Sequence, residues 1–288
     1  MLDPEPGPGY PVEYDCSYQT DSIGAPNACS FSSDGLYLTC ACDGGLLTAE
    51  LGEPGEYLPT DAPLTDAAFF RGTHTVCAAA GDSLLVAAPG SEQSWVDAGS
   101  EVLFVEPFGD GVLAVLSDGS ILQSGRDLAF ERTNDVPVGA PLSAIVLGGD
   151  LFLGFADSLA RLDAATGTAE LSVGTMGAVV DLFDAGGGLL GASIQGMNEL
   201  WILDLDDLSA VLLVTFPGHP AEGAATPGGS YFYGGGDSAL GLQVVASSGE
   251  IVWSSPGFGS TADLASSPDS LHVMAASGSN RSILVLGY

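Results

Sequence analysis

Four acidic side chains recur at one register of this chain: Asp66, Asp181, Glu222 and Asp263. Counted back from a recurring tight turn, each falls at the same place in its repeat, Asp66 after a one-residue deletion. Carboxylates held at one height around an axis repel one another unless a cation joins them, and calcium prefers oxygen ligands of this kind. Without a cation, some of them would hold their protons to unusually high pH. Asp66, Asp181, Glu222 and Asp263 are therefore the candidate metal ligands and calcium the candidate ion. Hydrated loop acids in an acid-rich chain are the plainer alternative.

The cysteines are the second constellation. Cys16, Cys29, Cys40, Cys42 and Cys77 all lie before residue 78. Their clustering favours an oxidising compartment, although their number is odd. If a turn centres on Asp34-Gly35, Cys29 and Cys40 stand opposite each other on neighbouring strands. A Cys29–Cys40 disulfide then competes with a reading of these thiols as small buried hydrophobes. Cys40-Ala41-Cys42 is spaced too tightly for a zinc pair.

No catalytic motif stands out. Ser193 and Ser230 lack a nucleophile-elbow context. The glycine runs at 186–188, 228–229 and 234–236 sit between strand-like segments rather than ahead of a helix, so they read as turns and not as phosphate loops. His74 and His272 take the place that Tyr37 holds in the first repeat, and His219 lies in the loop Pro217-Gly218-His219-Pro220. Asp204-Leu205-Asp206-Asp207 departs from the calcium-loop pattern and reads as a solvated hairpin turn. Asn280-Arg281-Ser282 fits a glycosylation sequon.

The elements that must position these residues come from a repeat of about 39 residues, a period that marks solenoids and propellers. Its clearest copy, residues 29–47, reads strand, tight turn, strand, tight turn, strand. Units fall at about 26–63, 64–100, 101–138, 139–176, 177–219, 220–258 and 259–288, each with three marked strands and a weaker fourth. The fourth-strand segments are Tyr57-Leu58, Trp95-Val96, Leu128–Phe130, Glu170–Ser172, Val211–Val214 and Ile251–Trp253. The strands are apolar on both faces, as blades packed between neighbours require. The last unit lacks its fourth strand, and residues 1–25 hold a spare one, Val12–Tyr18. Pairing that segment with residues 282–287 closes the ring and removes a free edge. The expected fold is a single all-β domain: a seven-bladed β-propeller of four-stranded antiparallel blades, closed by an N-terminal strand.

Phe31-Ser32-Ser33-Asp34-Gly35-Leu36-Tyr37-Leu38 resembles the strand-turn-strand signature of YVTN- and WD-type propellers, and Ser267-Pro268-Asp269 repeats part of it. The segments 162–168 and 246–253 resemble the outer hairpins of quinoprotein-like propellers. The resemblance implies architecture alone, because its motifs are turn chemistry. The Trp-Asp dipeptide of true WD blades is absent, and nothing supports a quinone cofactor.

The formal charge is −32, from 37 acids against 5 arginines and no lysine. Such a field repels nucleic-acid phosphates and anionic membranes and attracts divalent cations, basic proteins and cationic ligands. No apolar run is long enough to span a bilayer. No secretory signal opens the chain, so it is either cytoplasmic or an extracellular or periplasmic protein whose signal has been removed. The sequence therefore points to a non-enzymatic extracellular binding or scaffolding propeller, calcium-stabilised, that engages a protein partner or cationic ligand. The alternatives are a lactonase-like metal-dependent hydrolase or lyase, and a structural subunit of a larger extracellular assembly.

Overall fold

Ser32, Asp34 and Gly35 shape the first hairpin. The Ser32 hydroxyl donates to Asp34 Oδ1 (2.6 Å), the Leu36 N–H donates to the same oxygen (3.1 Å), and the Tyr37 N–H donates to Ser32 Oγ (2.9 Å). Gly35 supplies the left-handed position, φ +72°. Ser267, Asp269, Leu271 and His272 repeat the arrangement at 2.6, 3.1 and 3.0 Å. His272 is thus the counterpart of Tyr37. His74 is not: the Phe70 N–H pairs with the Thr75 carbonyl as Ser32 pairs with Tyr37, so Thr75 takes that place and His74 sits in the turn.

A computed structural model describes residues 13–287 except 90–92, 126, 136–138, 227–228 and 270. Val12 of the expected latch, Arg126, and the Pro227-Gly228 part of one turn lie outside the described residues. Strand β1 (Glu13–Gln19) precedes the first blade, which is β2 (Pro26–Phe31), β3 (Tyr37–Cys42), β4 (Gly45–Glu50) and β5 (Glu56–Pro59). Blade 2 is β6 (Asp66–Phe69), β7 (Val76–Ala80), β8 (Ser83–Ala87) and β9 (Ser94–Asp97). Blade 3 is β10 (Val102–Phe108), β11 (Gly111–Leu116), β12 (Ser120–Ser124) and β13 (Phe130–Asp135). Blade 4 is β14 (Ser143–Leu147), β15 (Asp150–Gly154), β16 (Ser158–Asp163) and β17 (Ala169–Gly174). Blade 5 is β18 (Val179–Gly186), β19 (Leu189–Ile194), β20 (Glu199–Asp204) and β21 (Ala210–Thr215). Blade 6 is β22 (Glu222–Ala225), β23 (Tyr231–Gly235), β24 (Leu242–Ala246) and β25 (Ile251–Ser255). Blade 7 is β26 (Thr261–Ser266), β27 (His272–Ser277) and β28 (Ser282–Gly287), with β1 as its outer strand.

All seven sheets are four-stranded antiparallel meanders. The first strands of successive blades touch in a closed circle, β2–β6–β10–β14–β18–β22–β26–β2. The ring closes as the sequence implied. β1 pairs antiparallel with β28 from Glu13↔Gly287 to Gln19↔Ser282, with one bulge between Tyr14 and Cys16. In blade 3 the fourth strand begins at Phe130; Leu128, at φ +60°, belongs to the turn before it, where its N–H donates to the Gly125 carbonyl.

The core lies between blades. Each apolar cluster draws its side chains from two adjacent blades, and the clusters fill all the seams from blade 1/2 round to blade 7/1. At the blade 5/6 seam the Phe183 ring fits only because its neighbours are Gly191 and Gly223; a Cβ at either would collide with it. At the blade 4/5 seam, Arg161 pairs with Glu170 (3.1 Å) and donates to the Leu205 (2.7 Å) and Asp206 (3.2 Å) carbonyls.

The cysteine expectation requires correction. The register does set Cys29 opposite Cys40, but both are free thiols, as are Cys16, Cys42 and Cys77. Register alone is insufficient, because a disulfide also needs the two Cβ vectors turned toward each other. Cys40 Sγ instead lies 3.8 Å from Cys42 Sγ. All but Cys16 are buried, and desolvation pushes the Cys29, Cys40 and Cys77 thiols up. The clustering thus reflects packing at the blade 7/1 and 2/3 interfaces and no longer argues for export.

Two outcomes follow. Removing residues 1–22 deletes β1 and should lower the melting temperature by about 10 °C or more, since each kcal/mol is worth ~2–4 °C at this size; an unchanged melt would rule the latch out. Thiol titration without reductant should find five reactive groups after denaturation and no more than Cys16 reacting promptly in the native protein.

Candidate functional site

The first strand of every blade is an inner edge whose outward N–H and C=O groups face the next blade and the channel. Unpaired, such groups are costly. Asp66 meets this need twice: Oδ1 accepts from the Ala67 N–H (2.8 Å) and Oδ2 from the Val105 N–H of blade 3 (2.7 Å). Asp263 does the same with Leu264 (2.7 Å) and with Cys29 of blade 1 (2.6 Å), so its contact crosses the closing seam. Asp181 accepts from Leu182 and from Gly223 of blade 6 (2.7 Å). An Asp at this register reaches the N–H one position further along the next blade.

Glu222 occupies the same register in blade 6, but its carboxylate has no hydrogen bond among the described residues. Burial pushes it well above the usual carboxylate range, with Asp181 and Asp263 adding repulsion. Burial likewise raises Asp66 to about 6, Asp181 to about 7 and Asp263 to about 8, against donated backbone N–H groups that pull the other way.

These four acids line one cavity of about 500 Å³ along the ring axis. Two further acids line it. Glu106 of blade 3 lies two residues beyond the shared register, which Phe104 occupies, and accepts a backbone hydrogen bond from Val146 of blade 4. Burial, then Asp66, raises it well above its ordinary value. Asp184, exposed near the far end of β18, also lines it and accepts from the Gly186 N–H (2.8 Å). Among the described residues no basic side chain lines the cavity. The acids share the channel but do not converge on one point: among the described residues no group of three or more His, Cys, Asp or Glu is placed to hold a metal ion.

The signal for Glu106 was a lone charge in the apolar run Val102–Phe108. On the opposite face, Ser32 donates to Asp34, whose Oδ2 contacts His74 Nε2 (2.9 Å). The Ser32 hydroxyl, then His74, hold Asp34 down at about 2. The order is wrong for nucleophile activation, which needs the imidazole on the serine. Asp204 and Asp207 accept from the Asp206 and Ser209 N–H groups (2.8 and 2.9 Å), as a hairpin turn. The Asn280 amide nitrogen donates to the Gly257 (3.1 Å) and Phe258 (2.6 Å) carbonyls, so the sequon asparagine is engaged inside its loop. No helix of the described residues is long and apolar enough to cross a membrane.

Closed ring, four-stranded blades and axial channel define a seven-bladed β-propeller. Among solved structures, a chain in the crystal structure of a mitotic checkpoint complex is similar, with a TM-score of 0.78 at 12% sequence identity, over 99% of this chain and 98% of that one. At that identity the likeness is one of fold alone. No protein-family model matches the chain, and no curated protein matches it.

The channel acids set a pH dependence. Their folded-state values lie above the ordinary 3.8 of an aspartate, at about 6, 7 and 8. The folded state therefore binds more protons than the unfolded chain between those limits, and stability is lost as pH rises. Exposed Asp34, held low, acts oppositely below about pH 4. The melting temperature should be highest near pH 4–5 and fall steadily toward pH 8.5; calorimetry giving a flat or rising profile over that interval would contradict the assignment.

Proposed function

We propose that this propeller is a non-enzymatic binding module whose channel-mouth face engages a basic protein partner. The observation that carries the reading is the excess of acids on that face over blades 1–3, against Arg281 in the blade 7 turn. The acid register stands at the start of the inner strands, so the mouth lies on the side of the loops that lead into each inner strand and that join the second and third strands. Over blades 1–3 these loops and strand ends expose Asp43, Asp61, Asp82, Asp97, Glu101 and Asp118. Only Asp118 has an arginine partner among the described residues, Arg132 at 3.0 Å. Loops on a rigid scaffold are where recognition residues gather, and an acidic patch steers a complementary partner.

A calcium ion at the acid register is a second reading, favoured by the crowding of like charges there. Its test accompanies the one in the next subsection.

A fluorescent octalysine peptide serves as probe for the face. Replacing Asp43, Asp61, Asp82 and Asp97 by Asn should weaken binding about tenfold, and affinity should fall steeply with salt. Replacing Glu53, Asp127, Asp206 and Asp207, on the opposite face, should change it less than about twofold. Equal effects from the two sets would leave net charge, and no particular face, as the cause.

A further inference from the structure

The axial channel combines features that a point cation would leave unused. Its acids come from blades 2, 3, 5, 6 and 7 and are distributed along the axis: Asp66, Asp181, Glu222 and Asp263 near the mouth, Glu106 further in, Asp184 exposed toward the far end. Calcium demands six to eight oxygens around a single centre, and no three of these carboxylates are so placed. Between the acids the wall carries partly exposed apolar side chains, Phe104 and Ile145 among them. Its volume, about 500 Å³, is that of a small-molecule site. Within it Glu222 is half-buried, without a hydrogen bond among the described residues and beside Asp181 and Asp263. Three Asp carboxylates bond to backbone on either side of their seam, whereas the Glu222 carboxylate is left facing the channel.

We propose that the channel binds a linear polyamine, with one ammonium group on Glu222 and further ammonium groups reaching the neighbouring acids. Cationic nitrogens separated by methylene segments match carboxylates separated along the channel, with Phe104 and Ile145 between them. The ammonium donors satisfy Glu222 and offset the repulsion among Asp181, Glu222 and Asp263. The site is distinct from the mouth-face patch and does not depend on a protein partner.

Isothermal titration of the full chain with spermine, 1,4-diaminobutane and calcium chloride, at about 0.15 M ionic strength and neutral pH, tests it. One spermine per chain is expected, bound about tenfold or more tighter than either comparator, a difference of ~1.4 kcal/mol. Glu222→Gln should lose at least most of that advantage while keeping its melting profile. Replacing Asp43, Asp61 and Asp82 by Asn should leave spermine binding unchanged. Should Glu222→Gln fold poorly, the wild type gives a second readout. Channel carboxyls that hold protons at neutral pH must release them to meet an ammonium group, so titrations in buffers of different ionisation enthalpy should report proton release at pH 7 that disappears by pH 9. Binding of spermine no tighter than calcium, at several equivalent sites, undiminished by Glu222→Gln, abolished by the surface substitutions, or without proton release at pH 7 would each overturn the proposal.

Discussion

A ring of small sheets must join its inner edges to one another, and here each seam does so with a polar side chain acting on backbone. Asn27 donates to the Leu64 carbonyl (2.8 Å), Asp66 accepts from Val105, Glu106 accepts from Val146, and Ser143 donates to the Val179 carbonyl (2.9 Å). Asp181 accepts from Gly223, Ser266 donates to the Ala225 carbonyl (2.9 Å), and Asp263 accepts from Cys29. Removing one such acceptor leaves a shielded N–H unpaired, a loss of about 1–3 kcal/mol. The apolar clusters supply the bulk of the attraction between blades, but they are non-directional. The staples add direction, and so set how one blade meets the next.

Where the staple is a carboxylate, the ring gains an axial channel of one sign. An ionised Asp is a stronger acceptor than an amide or hydroxyl, but its charge is then held among like charges with few routes for water. Protonation relieves this at acid pH. At neutral pH a bound cation relieves it without breaking the seam contacts, provided the cation distributes its charge as the acids do. The architecture and its electrostatics are coupled through these few side chains.

The fold was legible because its turns are local chemistry. Ser32-Asp34-Gly35 and Ser267-Asp269 spell out the same hydrogen-bonded hairpin, and the missing last strand pointed to the spare segment at the start. The register of Asp66, Asp181, Glu222 and Asp263 was visible for the same reason. The partner each carboxylate takes was not, because it lies one blade away and depends on how neighbouring sheets are rotated. Glu106 was missed because it is displaced two residues from the register, and the thiols were misjudged because strand pairing fixes which residues face each other but not how their side chains turn. His74 slipped by one residue because its turn lacks the serine that marks the others.

The latch has a consequence for how the chain is made. β1 leaves the ribosome well before its partner β28, which follows by the length of the ring, so at ~5–20 residues per second it waits unpaired for tens of seconds. During that interval it is an open strand edge without its sheet. Asp15 within it, and the acidic composition of the chain around it, are the kind of gatekeeping charge that keeps such a segment from pairing with another copy. The residues that later fasten the ring thus serve two periods of the molecule's life: solubility while it is incomplete, and complementarity once Ser282–Gly287 arrives.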